Sequence, residues 1–287
     1  MTRLGAERHT AISDEYAKRS NEENALANKI SLRTKSISKR FGGLVAVNKV
    51  SLDVEEGKRY AIIGPNGSGK TTFINLLTGF YTPSEGSVDF GGLDITRLKP
   101  FQRTHMGMAR TFQNIRLFMD MNVWENIALG RHCKTRANVF ESALRIGRER
   151  TERRETKERI DRIAEFLGIQ DILGLNVANL PYGRQRIVEI GRAMASDPQL
   201  IMLDEPAAGM NAIEVQQLVK IVRNLTELNI TVLLIEHNMG FIKDIADHVT
   251  VMESGGVIAS GAFDEVKDNP AVIEAYLGKK GAQHARN

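Results

Sequence analysis

The sequence has one cysteine, Cys133, and no apolar run of membrane-spanning length. A lone cysteine excludes an internal disulfide and a thiolate-rich metal site, and it suits a reducing compartment; Cys133 reads as a buried thiol. A spanning helix needs about 18 or more consecutive apolar residues. The longest apolar stretches here, such as "TVLLI", are strand-sized, so the chain is not expected to cross a bilayer by itself. A large excess of one charge sign is also lacking. Lys and Arg number 39 against 35 Asp and Glu, a net +4, which is too small a surplus to argue for nucleic acid. No nucleic-acid partner is expected, while contact with a membrane's cytoplasmic face or an acidic partner is allowed. The N-terminal "MTRLGAERHTAISDEYAKRSNEEN" has early acidic residues and no apolar segment, so it reads as neither secretory signal nor transit peptide. Residues 1–29 are expected to be a solvated, disordered tail. No internal repeat is present.

A chain of 287 residues suffices for one large domain or two ordinary ones, with a sizeable core. From about Ser31 the pattern becomes one of short strands, with Val50, Leu52 and Val54 alternating before "EEGKRYAIIG", where a buried strand runs into glycine. A helix is expected from Thr71 to about Leu77, stopped by Gly79. "PSEGSVDFGGLDI" is hairpin-like, and helical composition occupies about 98–195. Strand signals return in "LIMLDEP" and "ITVLLIEH", with a helical "AIEVQQLVKIVRNLTEL" between them. Strand, helix, strand in that order predicts a parallel α/β sheet.

Within the helical middle, Glu149 with Arg153, Glu155 with Arg159 and Glu158 with Arg162 fall at i, i+4. Such pairs support a solvated helix by a few tenths of a kcal/mol each, and the interleaved acids argue against a nucleic-acid helix. Ile160, Ile163, Phe166 and Leu167 form its apolar end before Gly168. Near the C-terminus Asn269 is expected to cap a short helix begun by Pro270 and closed by Gly278, with Val272, Ile273, Tyr276 and Leu277 on its apolar side.

"GPNGSGKT", Gly64 to Thr71, meets every fixed position of the phosphate-loop pattern G-x-x-x-x-G-K-[ST], between an expected strand and an expected helix. Gly64, Gly67 and Gly69 let main-chain N–H groups curl around anionic oxygens, with Pro65, Asn66 and Ser68 between them, and the helix start adds its dipole. Lys70 can reach the β- and γ-phosphates, and the Thr71 hydroxyl can hold Mg²⁺; Thr72 follows in the same turn. The pattern implies a nucleotide polyphosphate with Mg²⁺. "LIMLDE" delivers Asp204 and Glu205 to the C-terminal edge of the sheet, where ligands bind in such folds. Asp204 suits the Mg²⁺ shell, and Glu205 suits a general base toward the attacking water. "TVLLIEH" brings His237 to the same edge. Alone, His237, Gln113 in "TFQN" and Phe41 in "KRFGGL" would be read as a surface or satisfied histidine, a solvated glutamine and a core aromatic.

Phosphate loop, "TFQ", "LPYGRQR", "LIMLDEP" and "IEH" occur in the order and spacing of ABC-type ATPase domains, and the chain resembles that family from about residue 30 to 278. The resemblance implies a P-loop NTPase core with a mostly parallel sheet, an antiparallel β subdomain and an inserted helical subdomain at about 98–195, leaving 279–287 as a C-terminal tail. It implies that Phe41 stacks on adenine, that Gln113 touches Mg²⁺ and the membrane partner, that His237 contacts γ-phosphate, and that Ala207 to Asn211 is the loop following the catalytic carboxylates. Leu180, Pro181, Tyr182, Gly183 and Arg184 stand where the family's L-S-G-G-Q acts across a dimer. Pro181 has neither hydroxyl nor N–H, so two donors are missing there, and Arg184 is expected to supply part of the charge. The alternative is that proline only begins a helix that buries Ile187, Val188, Ile190 and Met194.

More narrowly, "KRFGGLVAVNKVSL", the long insert, "EPAAGMN" and "NPAVIEAYLG" resemble the ATP-binding subunits of branched-chain amino acid importers. Urea, short-amide and lipopolysaccharide-export ATPases remain open. So, in other classes, do a soluble ATPase of ribosomes or DNA and a regulator without turnover. The resemblance implies a peripheral subunit on the cytoplasmic face of the inner membrane, partnered by permease subunits and a second ATP-binding subunit, the same or different. Phe118, Met119, Met121, Val123 and Trp124 are the candidates for the permease-facing groove, with ordinary core as the alternative.

Overall fold

The computed structural model describes residues 30–133 and 148–276. The chain opens with two 12-residue strands, β1 (Ile30–Phe41) and β2 (Leu44–Glu55), which are longer than the short strands expected. Register shifts along their pairing break the period-2 pattern, with Ser36 and Lys49 at φ 47° and 48°, so alternation reads as several short pieces. With β4 (Glu85–Phe90) and β5 (Leu93–Asp94) they form an antiparallel sheet of order β2-β1-β4-β5.

The second sheet has the order β10-β9-β3-β8-β7-β6, made by β3 (Arg59–Ile63), β6 (Met108–Arg110), β7 (Leu200–Asp204), β8 (Thr231–Ile235), β9 (His248–Glu253) and β10 (Gly256–Gly261). All neighbours pair in parallel except β10 with β9. Both faces of the central strands are covered, so β7 and β8 carry runs of four buried apolar residues, Leu200–Leu203 and Val232–Ile235. On one face Ile62, Met202, Leu233 and Ile235 pack with Phe73, Leu76 and Leu77 of α1 (Lys70–Leu77) and with the antiparallel sheet. On the other, Ile63, Ile201, Leu203, Val232 and Leu234 pack against a mainly helical layer. That layer contains α3 (Val123–Leu129), α4 (Arg148–Leu167), α5 (Tyr182–Met194), α6 (Ala212–Glu227) and α7 (Met239–Ile245). Each buried aliphatic or aromatic side chain contributes roughly 1.5–3 kcal/mol.

The stretch 98–195 is not wholly helical. After α2 (Pro100–His105), β6 joins the edge of the parallel sheet, and Thr111 N–H continues the ladder to Met202 O at 2.9 Å. Three residues are too few to display a period, which is why the strand was not legible. Arg103 of α2, 1% exposed, donates to five carbonyls, among them Leu76 O at 2.8 Å and Leu77 O at 2.6 Å at the end of α1. It therefore satisfies the orphan carbonyls of the helix behind the phosphate loop, and burial pulls its pKa down to about 10.

The ion pairs expected on α4 are redistributed. Arg159 turns to Asp197 beyond α5, at 2.7 Å, and Glu158 meets Arg154 at 3.5 Å. Arg159 thus pairs with a residue of another element rather than with Glu155 on its own helix. The side chains of Glu149, Arg153 and Cys133 lie outside the described residues, as do the tails 1–29 and 279–287. Ile160, Ile163 and Leu167 are buried and Phe166 half-buried, as their spacing predicts. After α8 (Phe263–Lys267), residues 270–276 form α9, with Asn269 Oδ1 accepting from Ala271 N–H at 2.9 Å. Leu277 and Gly278 fall outside the described residues.

Candidate functional site

The phosphate loop joins β3 to α1, and its shape is imposed by close approach as well as by φ. A Cβ on Gly64 (φ 148°) would lie 2.1 Å from Met252 O, and one on Gly69 (φ 101°) 2.3 Å from Ala46 O. Lys70 threads back through the loop: its Nζ donates to Gly64 O at 2.7 Å and Pro65 O at 2.9 Å. Burial lowers its pKa, while Glu205 and Asp204 pull it back up. Ser68 is buried, whereas Asn66, Gly67 and Thr71 face solvent and Pro65, Gly69 and Thr72 are intermediate. Phe41 is not core; it is 42% exposed and meets Tyr81 edge to face, with ring centroids 5.3 Å apart. Tyr81 carried no sequence signal of its own.

Asp204 ends β7 in a buried ion pair with Arg110 of β6, at 2.8 Å. Arg110 also donates to Asn75 Oδ1 at 2.6 Å, so the carboxylate is held by the α1 helix through one guanidinium. Arg110 was missed because nothing in "GMARTFQ" marks it. Glu205 sits at φ 47°, a left-handed conformation that costs a non-glycine residue roughly 1 kcal/mol or more. Its Oε2 accepts from Gln113 Nε2 at 3.0 Å and lies 3.8 Å from His237 Nδ1. Gln113, Glu205 and His237, distant in sequence, thus converge. Glu236, also missed, is 1% exposed and accepts main-chain N–H groups from Ala207, His237 and Asn238. Thr71, Asp204 and Gln113 offer hydroxyl, carboxylate and amide oxygens, a donor set that fits a hard cation held by few protein ligands.

In "LPYGRQR", Pro181 is the N-cap of α5, with Gln185 N–H to Pro181 O at 3.0 Å, and Ile187, Val188, Ile190 and Met194 are buried. Leu180 is buried and Tyr182 is 42% exposed. Gly183 is packed under Glu214: a Cβ there would meet its Oε1 at 2.3 Å. Arg184 Nη1 donates to Gly168 O at 3.2 Å, at the end of α4. Within the chain, then, both residues have local roles that the sequence did not disclose.

One turn further on lies a fully buried charge pair. Arg186 and Glu189, 0% and 1% exposed, meet at 2.8 Å. Arg186 also donates to Phe112 O at 2.6 Å, Gln113 O at 2.7 Å and the Tyr182 hydroxyl at 3.0 Å. Glu189 Oε1 accepts from Phe112 N–H at 3.4 Å and Arg116 N–H at 3.3 Å. The pair clamps the main chain around Gln113 to α5.

Beyond Gln113, Phe118 and Met119 are 55% and 42% exposed, whereas Val123 is fully buried and Trp124 packs on the core. Met121 is half-buried. Buried Asn126 holds the Phe118 main chain from both sides, at 2.9 and 3.0 Å, so the exposed pair stands on a fixed turn.

Comparison with known proteins gives a consistent picture. Residues 47–208 match the family model described as ABC transporter, and 257–282 match that described as branched-chain amino acid ATP-binding cassette transporter. The chain is 41% identical over 249 residues to the high-affinity branched-chain amino acid transport ATP-binding protein BraF of Pseudomonas aeruginosa, covering 86% of this chain and 98% of that one. It is 39% identical over 249 residues to LivG of Escherichia coli K12, a protein of the same description, with the same coverage. Among solved structures, the ADP conformation of an ATP-binding cassette of an ABC transporter superposes with a TM-score of 0.76 at 35% identity, covering 87% of this chain and 99% of that one.

Proposed function

The chain belongs to the ABC transporter ATP-binding family, in its branched-chain amino acid branch, and from that membership we propose that it hydrolyses ATP to drive branched-chain amino acid import. The observation that carries the reading is the meeting of Lys70, Asp204, Glu205, Gln113 and His237 at one edge of the parallel sheet. In this reading residues 30–278 form one ATPase domain, with the helical part lying in 98–195 apart from α2 and β6.

Phe41, with Tyr81 beside it, receives the adenine face. The N–H groups of Gly64 to Thr72 and the Lys70 ammonium receive the phosphates; Lys70 exchanges its loop carbonyls for anionic oxygens, which restores the charge partner that burial denies it. Thr71, Asp204 and Gln113 would hold Mg²⁺, which would supply positive charge to the phosphates. Glu205 takes a proton from water as the water oxygen attacks the γ-phosphorus and ADP leaves. Gln113 orients that carboxylate, and His237 faces the γ-phosphate from the neighbouring loop. Leu180, Pro181, Tyr182, Gly183 and Arg184 face the nucleotide of a second ATP-binding subunit, and the Phe118–Met119 turn faces a permease subunit. The protein sits peripherally at the cytoplasmic membrane face.

The test is nucleotide binding and steady-state hydrolysis with the permease assembled. Lys70→Ala is expected to lose binding. Glu205→Gln is expected to bind but to lose about 10²-fold or more in turnover. Hydrolysis near wild type in Glu205→Gln would remove the general-base assignment.

A further inference from the structure

Parallel strands β7 and β8 lie side by side, and each ends in a loop carrying one of the groups just assigned to the γ-phosphate, Glu205 after β7 and His237 after β8. Their main-chain ladder finishes with Glu205 N–H to Ile235 O at 2.9 Å. Beyond that point Glu236 continues the connection, beside the approach of Glu205 to His237 at 3.8 Å. Glu236, 1% exposed, takes the Ala207 N–H on Oε1 at 2.8 Å, and the His237 and Asn238 N–H groups on Oε2 at 2.9 and 3.1 Å.

Three donors converge on this group, and an ionised carboxylate is acceptor-only. An amide of the same shape would turn a donor toward one of the two loops and lose that side. The connection matters because Glu205 is held at φ 47°, a conformation that persists only where the surroundings restrain it. Restraint comes from Ile235 O at its own N–H and from Glu236 at the N–H two residues later.

We propose that Glu236 is a positioning residue for hydrolysis. It ties the Glu205–Ala207 segment to the His237–Asn238 turn, so that general base and histidine reach the γ-phosphate as one unit. This rests on the function proposed above and adds to it a buried residue that acts through Glu205 and His237.

The experiment compares wild type, Glu236→Gln and Glu236→Asp, each assembled with the permease, by ATP binding, kcat and KM, and by amide hydrogen exchange. Glu236→Gln is expected to lower kcat about 10–100-fold while ATP binding and KM stay within about twofold. The Ala207 amide is expected to exchange about tenfold faster or more, with the Leu203 and Leu234 amides unchanged. Glu236→Asp keeps the charge and the two local contacts but draws back from Ala207, so its kcat is expected to be intermediate. That variant carries the test if Glu236→Gln fails to fold. Wild-type kcat in either folded variant, or slowed turnover with uniformly faster exchange across β7 and β8, overturns the tether. Absence of ATP hydrolysis by the wild-type assembly would instead overturn the function on which it rests.

Discussion

Replacing Arg186 by methionine keeps most of the side-chain volume and removes the guanidinium from a site with no solvent access. Four interactions go at once: those to Phe112 O, Gln113 O, the Tyr182 hydroxyl and Glu189. Glu189 then stays buried with main-chain donors at 3.3 and 3.4 Å and with Arg192 at 3.9 Å. Breaking a buried pair by removing one partner costs about 3–5 kcal/mol, and the remaining Arg192 favours the low end, about 3 kcal/mol. Glu189→Leu strands the buried Arg186 charge and is expected to cost about 3 kcal/mol, the low end of the same range, because the carbonyls still receive the guanidinium. In the double variant neither charge is stranded, so the loss is expected to be about 2 kcal/mol rather than the sum of roughly 6 kcal/mol. Urea denaturation with an unchanged m-value measures each cost as a shift in midpoint. Since the clamp holds the Gln113 main chain, hydrolysis by the double variant is expected to fall although it is more stable than either single variant. Additivity of the two single changes within about 0.5 kcal/mol would refute the coupling, and wild-type hydrolysis in the double variant would refute the link to Gln113.

Two further outcomes follow from the site. In the assembled transporter Arg184→Ala is expected to reduce ATPase partially and Pro181→Ser to be mild or activating; wild-type rates in Arg184→Ala would leave that side chain only its contact with Gly168. Gly183→Asp is expected to be the worst of the three, but it sets a new carboxylate against Glu214 in its own chain, so its melting temperature must be read beside its rate. Phe118→Glu or Met119→Glu is expected to uncouple ATPase from transport without lowering stability by more than about 0.5 kcal/mol, because both side chains are exposed. A stability loss without uncoupling would place the permease contact elsewhere.

What the sequence determined by itself was whatever depends on local order. The phosphate loop needs glycine at fixed steps because main-chain approach and φ are properties of a few consecutive residues, and "GPNGSGKT" states them in full. The strands "LIMLD" and "TVLLI" announced burial on both faces by four consecutive apolar residues each, and the family resemblance then ordered the remaining motifs. Partners distant in the chain were decided by the tertiary structure alone. Arg110 meets Asp204 across 94 residues, Gln113 meets Glu205 across 92, and Arg186 reaches Phe112 across 74. A buried arginine or glutamate is written with the same letter as a solvated one, and the sequence had Glu155 answering Arg159 on its own helix until Asp197 was folded against it. Three-residue β6 became a strand only because β7 offered it an unpaired edge, and Glu236 became a tether only because two parallel strands ended level with each other. Such interactions depend on which groups tertiary packing withdraws from water together, and chain order does not encode that locally.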